Sequence, residues 1–279
     1  MREIPAETII ETVAALCIEA NLHLNPDIRH AFEAARAAEA EDMPRSVLTQ
    51  MLANADVAAE KRLPICQDTG MAVVFAEVGQ EVHITGNLAD AIHEGVRRGY
   101  ERGYLRKSVV RDPVDRVNTK DNTPAVIHYT IVPGDRLRLT VAPKGFGSEN
   151  MSALRMLVPS DGMDGVKRVV LDTVRAAGSN PCPPIVVGVG VGGTMEKAAL
   201  MAKEALLRPV GTASENEMWA QAERELLTDI NKLDIGPAGF GGRTTALAVH
   251  IKPYPTHIAG LPVAVNIGCH VTRHAEAEV

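Results

Sequence analysis

Four cysteines stand among the 279 residues, and three of them occupy settings that a core thiol does not need. Cys66 lies in PICQDTG, Cys182 in NPCPP and Cys269 in IGCH, each a loop stiffened by proline or opened by glycine. Proline restricts the backbone and glycine lets it pass close to a bulky object, which is what presenting a thiolate to a metal centre requires. Cys17 differs, since it shares a helical face with Ile9, Ile10, Val13 and Leu16, where a thiol behaves as a small hydrophobe. The three loop cysteines are 116 and 87 residues apart, unlike the paired C-x-x-C of a zinc ribbon or a ferredoxin run. On spacing alone, three unconnected buried thiols and one three-cysteine metal site fit equally.

Three thiolates would nevertheless suit one chemistry well. A cubane iron-sulfur cluster held by three cysteines leaves one iron without a protein ligand, open to a substrate carboxylate and hydroxyl as a Lewis acid. Such a site also needs cations for a second carboxylate, a proton donor or acceptor, and polar groups to fix the hydroxyl. Gln67 and Asp68, the arginines ending at Arg106, Lys144 and His257 are groups of these kinds. Each has a plainer reading as well. Asp68 can bond its own turn backbone, and Arg102, Arg106 and Lys107 can complement a helix dipole. Lys144 can be a solvated strand-end lysine, and His257, between Pro255 and Gly260, a surface-loop histidine.

These residues need elements to position them, and the composition allows a large core. Hydrophobic residues make up 46% of the chain but aromatics only 3%, so aliphatic side chains must fill the interior and stacking platforms for bases are scarce. A net charge of -6 with no basic block argues against nucleic acid. No apolar run reaches the length of a membrane span, which together with the cysteine usage points to a cytoplasmic protein. Residues 6 to 60 read as helices, the third starting near Ser46. Strands follow at MAVVFAEVG and EVHITG, then a helix capped by Asn87. The stretch from 124 to 145 alternates on either side of Pro133-Gly134-Asp135 and predicts an antiparallel hairpin. A helix over 161 to 177, the strand IVVGVGVGG, helices over 194 to 207 and 216 to 232, and two further strands ending at Cys269 complete the chain. With no linker or internal repeat, the expectation is one α/β (mixed α+β) domain over 1–279, with a helical N-terminal layer over 1–60 and antiparallel hairpins in the rest.

PICQDTG, KGFGSEN, NPCPP, GVGVGGTMEKAALMAKEALLR, GPAGFGGRTTALAVHI and HIAGLPVAVNIGCH, in this order, resemble the α-region of the class I fumarate hydratase and L-tartrate dehydratase family, the iron-sulfur hydro-lyases. The resemblance runs from about residue 5 to about 273. It implies that Cys66, Cys182 and Cys269 ligate a 4Fe-4S cluster with one iron lacking a protein ligand, and that Gln67 and Asp68 face the substrate with catalytic roles. It further implies that Arg106 pairs with a substrate carboxylate, that Lys144, Gly145 and Gly147 line the pocket, and that His257 stands beside the cluster as a catalytic or orienting group. Single-chain members carry a further C-terminal region with more substrate contacts and the C3 base, which nothing here matches up to VTRHAEAEV. The expected partner is therefore a β subunit, in an α-β pair doubled about a two-fold axis, acting on a small dicarboxylate. Reversible hydration of fumarate to L-malate leads, with L-tartrate dehydration as the alternative.

Two glycine motifs point elsewhere. GVGVGG, residues 188 to 193, satisfies G-x-G-x-x-G, but its helix leads to another helix and not to a second strand ending in an acidic residue. GPAGFGGRTT has Arg243 where a phosphate loop needs lysine. A reading of a different class is a non-catalytic metal-binding module for protein interaction, with zinc closed by His257 or His270 as a fourth ligand.

Overall fold

A computed structural model describes residues 2–279. The backbone divides into two compact units. One comprises the chain through Leu24, Ala55–Phe146 and Arg273–Val279, the other Asn25–Asn54 and Gly147–Thr272.

In the first unit, β1 (Arg2–Pro5) leads into α1 (Ala6–Leu22), and the last residues of α3 (Asp42–Lys61) belong here from Ala55 onward. Then follow β2 (Met71–Gly79), β3 (Val82–Thr85), α4 (Leu88–Arg102), β4 (Val126–Val132), β5 (Leu137–Lys144) and β10 (Ala275–Glu278). Four strands form one sheet in the order β10-β5-β2-β4, and β1 pairs with β3 in parallel. Burial selects the faces: Ile9, Val13, Leu16 and Cys17 of α1 and Ile92, Val96 and Tyr100 of α4 close over Val74, Leu139 and Val141. The helices pack closely because Gly95 has no side chain; a Cβ there would lie 2.6 Å from Val13 Cβ. Asn87 caps α4 as expected, its side chain accepting from the N–H groups of Ala89 and Asp90.

The expected hairpin is absent. β4 and β5 flank β2 without touching each other, β4 parallel to it and β5 antiparallel. The Pro133-Gly134-Asp135 link instead wraps the end of β2, where Gly79, Gln80 and Glu81 donate to the carbonyls of Arg136, Val132 and Gly134. Alternation marks a strand and its faces but carries no information about the neighbour across the ladder. The mixed helix and sheet content of the expectation is present, as are the three N-terminal helices, although α3 starts at Asp42 with Pro44 in its first turn.

In the second unit, α2 (Pro26–Ala38) and the first residues of α3 precede a short helical turn α5 (Phe146–Glu149, from Gly147 in this unit), β6 (Ala153–Leu157), α6 (Gly162–Ala177), β7 (Ile185–Gly192), α7 (Met195–Ala205), α8 (Glu217–Asn231), β8 (Ala246–Tyr254) and β9 (Leu261–Gly268). The sheet order is β6-β9-β7-β8, with β7 parallel to β8 and antiparallel to β9. Both faces are covered, so β7 is buried at every position. Val187, Val189 and Val191 join Val166, Val170, Leu226 and Ile230 of α6 and α8 in one core. The alternate residues, Gly188 and Gly190, lie under α7, where a Cβ would come within 2.1 Å of Ala202 O and 2.0 Å of Ala198 O. The glycine pattern that mimics a dinucleotide fingerprint is thus a helix-packing surface inside a strand. Its first two glycines are held in the sheet and offer no phosphate turn. Among the described residues no helix is long and apolar enough to cross a membrane.

Candidate active site

The Cys66 turn belongs to the first unit. α3 ends with Leu63 N–H donating to Ala58 O, and Ile65, buried, donates its N–H to Asn21 O, so the chain reaches Cys66 anchored on α1. The N–H of Asp68 points back at Cys66 Sγ, 3.4 Å away, as a backbone donor does toward a thiolate ligand. Gln67 is exposed. Asp68 Oδ1 accepts from Gly70 N–H and Oδ2 from Phe146 N–H, both at 3.0 Å. The plain reading of Asp68 as a turn former therefore holds, and the same carboxylate also fixes the loop at Gly145, where a Cβ would lie 3.0 Å from Oδ2.

Three further side chains draw the rest of this unit's candidates to the turn. Thr69, buried, donates Oγ1–H to the carbonyl of Arg106 at 3.0 Å. Tyr100 donates its hydroxyl to the carbonyls of Thr69 and Gly70, at 2.7 and 3.0 Å. Asn122, fully buried, donates to Gly70 O and accepts from Ser108 N–H, pinning the loop that carries Arg106. Gly70 needs its φ of 74°, and a Cβ there would lie 2.7 Å from Lys144 N, so β2 starts directly against Lys144 at the end of β5. Cys66, Gln67, Asp68, Arg106, Lys144 and Gly145 thus come together. Arg106 is exposed and makes no ion pair among the described residues. By contrast Arg97, Arg98 and Arg102 of α4 are tied to Glu7, Glu11 and Glu94, and Arg102 and Arg98 pull the Glu11 carboxyl down to about 2.

Cys182 and Cys269 belong to the second unit. Gly178 stops α6 at a φ of 54°, and the chain turns through Ser179 and Asn180 to Cys182, itself at a φ of 54° and exposed between Pro181 and Pro183. Non-glycine residues rarely adopt this conformation. The carbonyl of Cys182 accepts from His270 N–H and from His270 Nδ1, each at 3.1 Å, so the loop before β7 and the end of β9 are stitched together beside both cysteines. Because a carbonyl only accepts, His270 carries its proton on Nδ1. The Cys269 carbonyl accepts from Thr272 N–H and Oγ1–H. Gly147 lies against this loop, its Cβ position 3.6 Å from Asn180 O, and the N–H of Ala238, within GPAGFGGRTT, donates to Pro183 O at 2.7 Å.

His257 is not brought to Cys182 and Cys269. It sits in the exposed turn before β9, where Gly193 N–H donates to Pro255 O and Thr256 Oγ1–H to Gly193 O. Cys269 follows the other end of that strand, eight residues or roughly 25 Å away. Within this unit His257 therefore stands a strand's length from Cys269. Its surroundings are an apolar cleft of about 410 Å³ lined by Met163, Val166, Met218, Trp219 and Ile258.

No disulfide joins any of the four cysteines. Cys17 is fully buried, and burial pushes its thiol up to about 12, which makes it a poor thiolate donor. Among the described residues no three His, Cys, Asp or Glu side chains converge on a single-ion position. A cubane asks for a different arrangement, because each thiolate binds a separate iron and the donors need not meet at one point. Half-buried or exposed thiols at Cys66, Cys182 and Cys269, one of them already facing a backbone N–H, suit that donor set. Thr69, Tyr100, Asn122 and Arg273 escaped sequence reading; the first three act through backbone contacts that leave no periodic signal, and Arg273 lies beyond the IGCH motif.

Comparison with known proteins gives one family. The model for fumarate hydratase (Fumerase) matches residues 10–278. A relative named "Putative L(+)-tartrate dehydratase subunit alpha" from Methanocaldococcus jannaschii is 40% identical over 274 residues, covering 96% of this chain and 96% of the relative. The L(+)-tartrate dehydratase subunit alpha of Escherichia coli strain UTI89 is 30% identical over 275 residues, covering 97% and 90%.

Proposed function

Because the chain belongs to the fumarate hydratase family, we propose that it is the alpha subunit of a two-subunit hydro-lyase that adds and removes water at a small dicarboxylate. Reversible hydration of fumarate to L-malate is the leading reading, with 1–279 working as one functional domain. The observation that carries it is the family match over nearly the full length, with all three loop cysteines inside the matched residues. Cys66, Cys182 and Cys269 would hold a 4Fe-4S cluster, which when bound supplies an open iron as a Lewis acid for the substrate hydroxyl.

The chain's own residues do the rest. Arg106, exposed and without an internal acid, offers its planar fork to a substrate carboxylate. Lys144 adds a second cation at the end of β5, and the backbone at Gly145 and Gly147 lines the pocket. Gln67 donates from its amide to the hydroxyl. Asp68 spends one lone pair of each oxygen on the N–H groups of Gly70 and Phe146 and has another on each for the hydroxyl proton. The base at C3 comes from a β subunit, in an α-β pair doubled about a two-fold axis in the cytoplasm. L-tartrate dehydration is the second reading, favoured by the names of the two relatives.

Anaerobic reconstitution tests this. The full chain should take up roughly four irons and four sulfides, lost in Cys66→Ser, Cys182→Ser and Cys269→Ser and kept in Cys17→Ser. Turnover should need the β subunit, and assays with L-malate and L-tartrate side by side separate the two substrates. Zinc in place of iron would replace the enzyme reading with the metal-binding module, and no metal at all would remove the cluster from the three cysteines.

A further inference from the structure

Arg273 lies just past Cys269 in the chain, outside the IGCH motif, and the proposed hydro-lyase chemistry assigns it no role. Its side chain is among the most buried charges of the chain, at 5% exposure. Nη2 donates to the carbonyl of Asp68 at 2.6 Å, while Nε is buried with no partner. No carboxylate pairs with it among the described residues. The carboxylate of the same turn is turned elsewhere, toward the N–H groups of Gly70 and Phe146. Arginine does not shed its proton, so burial cannot neutralise it. A buried cation with one neutral acceptor and an idle donor is unfavourable unless an anion completes its surroundings.

The same contact links this cation to the Cys66 turn. Asp68 carries both ends of the arrangement, because its carbonyl takes Arg273 and its N–H faces Cys66 Sγ. We propose that Arg273 is the positioning residue of the Cys66 turn, holding the Asp68 carbonyl and balancing the negative charge of the thiolate-bound cluster carried there, a role that rests on the cluster assignment proposed for Cys66. A lone surface arginine would find water; this one is closed in with the turn. Outer-shell groups of this kind orient a ligand and tune the potential of the group it holds.

The test compares the reconstituted full chain with Arg273→Gln and Arg273→Lys. Iron and sulfide content, the midpoint potential of the cluster and the rate of iron loss to a chelator are measured, with melting of the metal-free chains as the folding control. Arg273→Gln is expected to accept the cluster, to have a more negative midpoint potential because a positive charge is gone, and to lose iron about 10-fold to 100-fold faster. Arg273→Lys should keep the potential but still lose iron faster, since a lysine cannot reproduce the planar donor. Wild-type potential and iron-loss rate in Arg273→Gln would overturn the proposal. Should that variant fail to fold, Arg273→Lys decides alone, and wild-type iron loss in it counts against the proposal. Failure of the wild-type chain to take up iron and sulfide would instead remove the cluster reading, and the proposal with it.

Discussion

At the scale of single residues, the Cys66 turn gives Asp68 a structural task beside the chemistry proposed for it. Asp68 holds Gly70 and Phe146 through its two carboxylate oxygens, which also fixes where a substrate hydroxyl would find it. Asp68→Asn keeps the size and one acceptor oxygen but surrenders the proton acceptor. Turnover of the assembled enzyme is expected to fall at least about a hundredfold, within the usual range for general acid-base catalysis, with iron content unchanged. Steady-state kinetics beside iron analysis checks this, and unaltered kcat would remove Asp68 from the proton path. Asp68 was legible as a candidate because it adjoins a cysteine in a turn. Arg273 was not, since a buried arginine looks like any other until the fold shows what surrounds it.

At the scale of elements, β7 explains a pattern that was misleading on its own. Its valines fill the core under α6 and α8, and its glycines admit α7. At Gly190 a methyl group would meet the backbone carbonyl of Ala198 at 2.0 Å, a contact no rotamer change relieves. Gly190→Ala is therefore expected to cost about 3 kcal/mol, the upper part of the range for overpacking. Denaturant unfolding measures it, and a loss below about 1 kcal/mol would mean that α7 yields easily. The strands themselves were legible from apolar runs and alternation. Their partners were not, as β2 lying between β4 and β5 shows.

At the scale of the whole molecule, stability should depend on pH through a buried histidine that the proposed chemistry does not use. His250 is 1% exposed, and its Nδ1 donates to Ala205 O, leaving Nε2 as a bare buried acceptor. Burial, helped by the Arg208 cation, pushes its pKa down to about 4, against the weaker opposing pull of the Ala205 carbonyl, Glu223 and Asp27. A histidine depressed in the folded state binds its proton more readily when unfolded, so its contribution is complete above about pH 6.5 and shrinks as pH falls toward 4. Between pH 7 and pH 5 the loss from this residue should be about 2 kcal/mol. Unfolding curves at the two pH values, compared with His250→Asn, isolate it; an equal loss in the variant would assign the effect to other groups. Amino-acid order carried the family, the mixed fold, the three loop thiols and most of the polar candidates, because these rest on local composition, turn chemistry and ordered motifs. Only the folded chain decided that Thr69 and Asn122 bring Arg106 to the Cys66 turn, that His270 stitches Cys182 to the end of β9, and that His257 stands a strand's length from Cys269. Distances across a sheet depend on register, strand order and helix docking, and no local pattern along the chain encodes them.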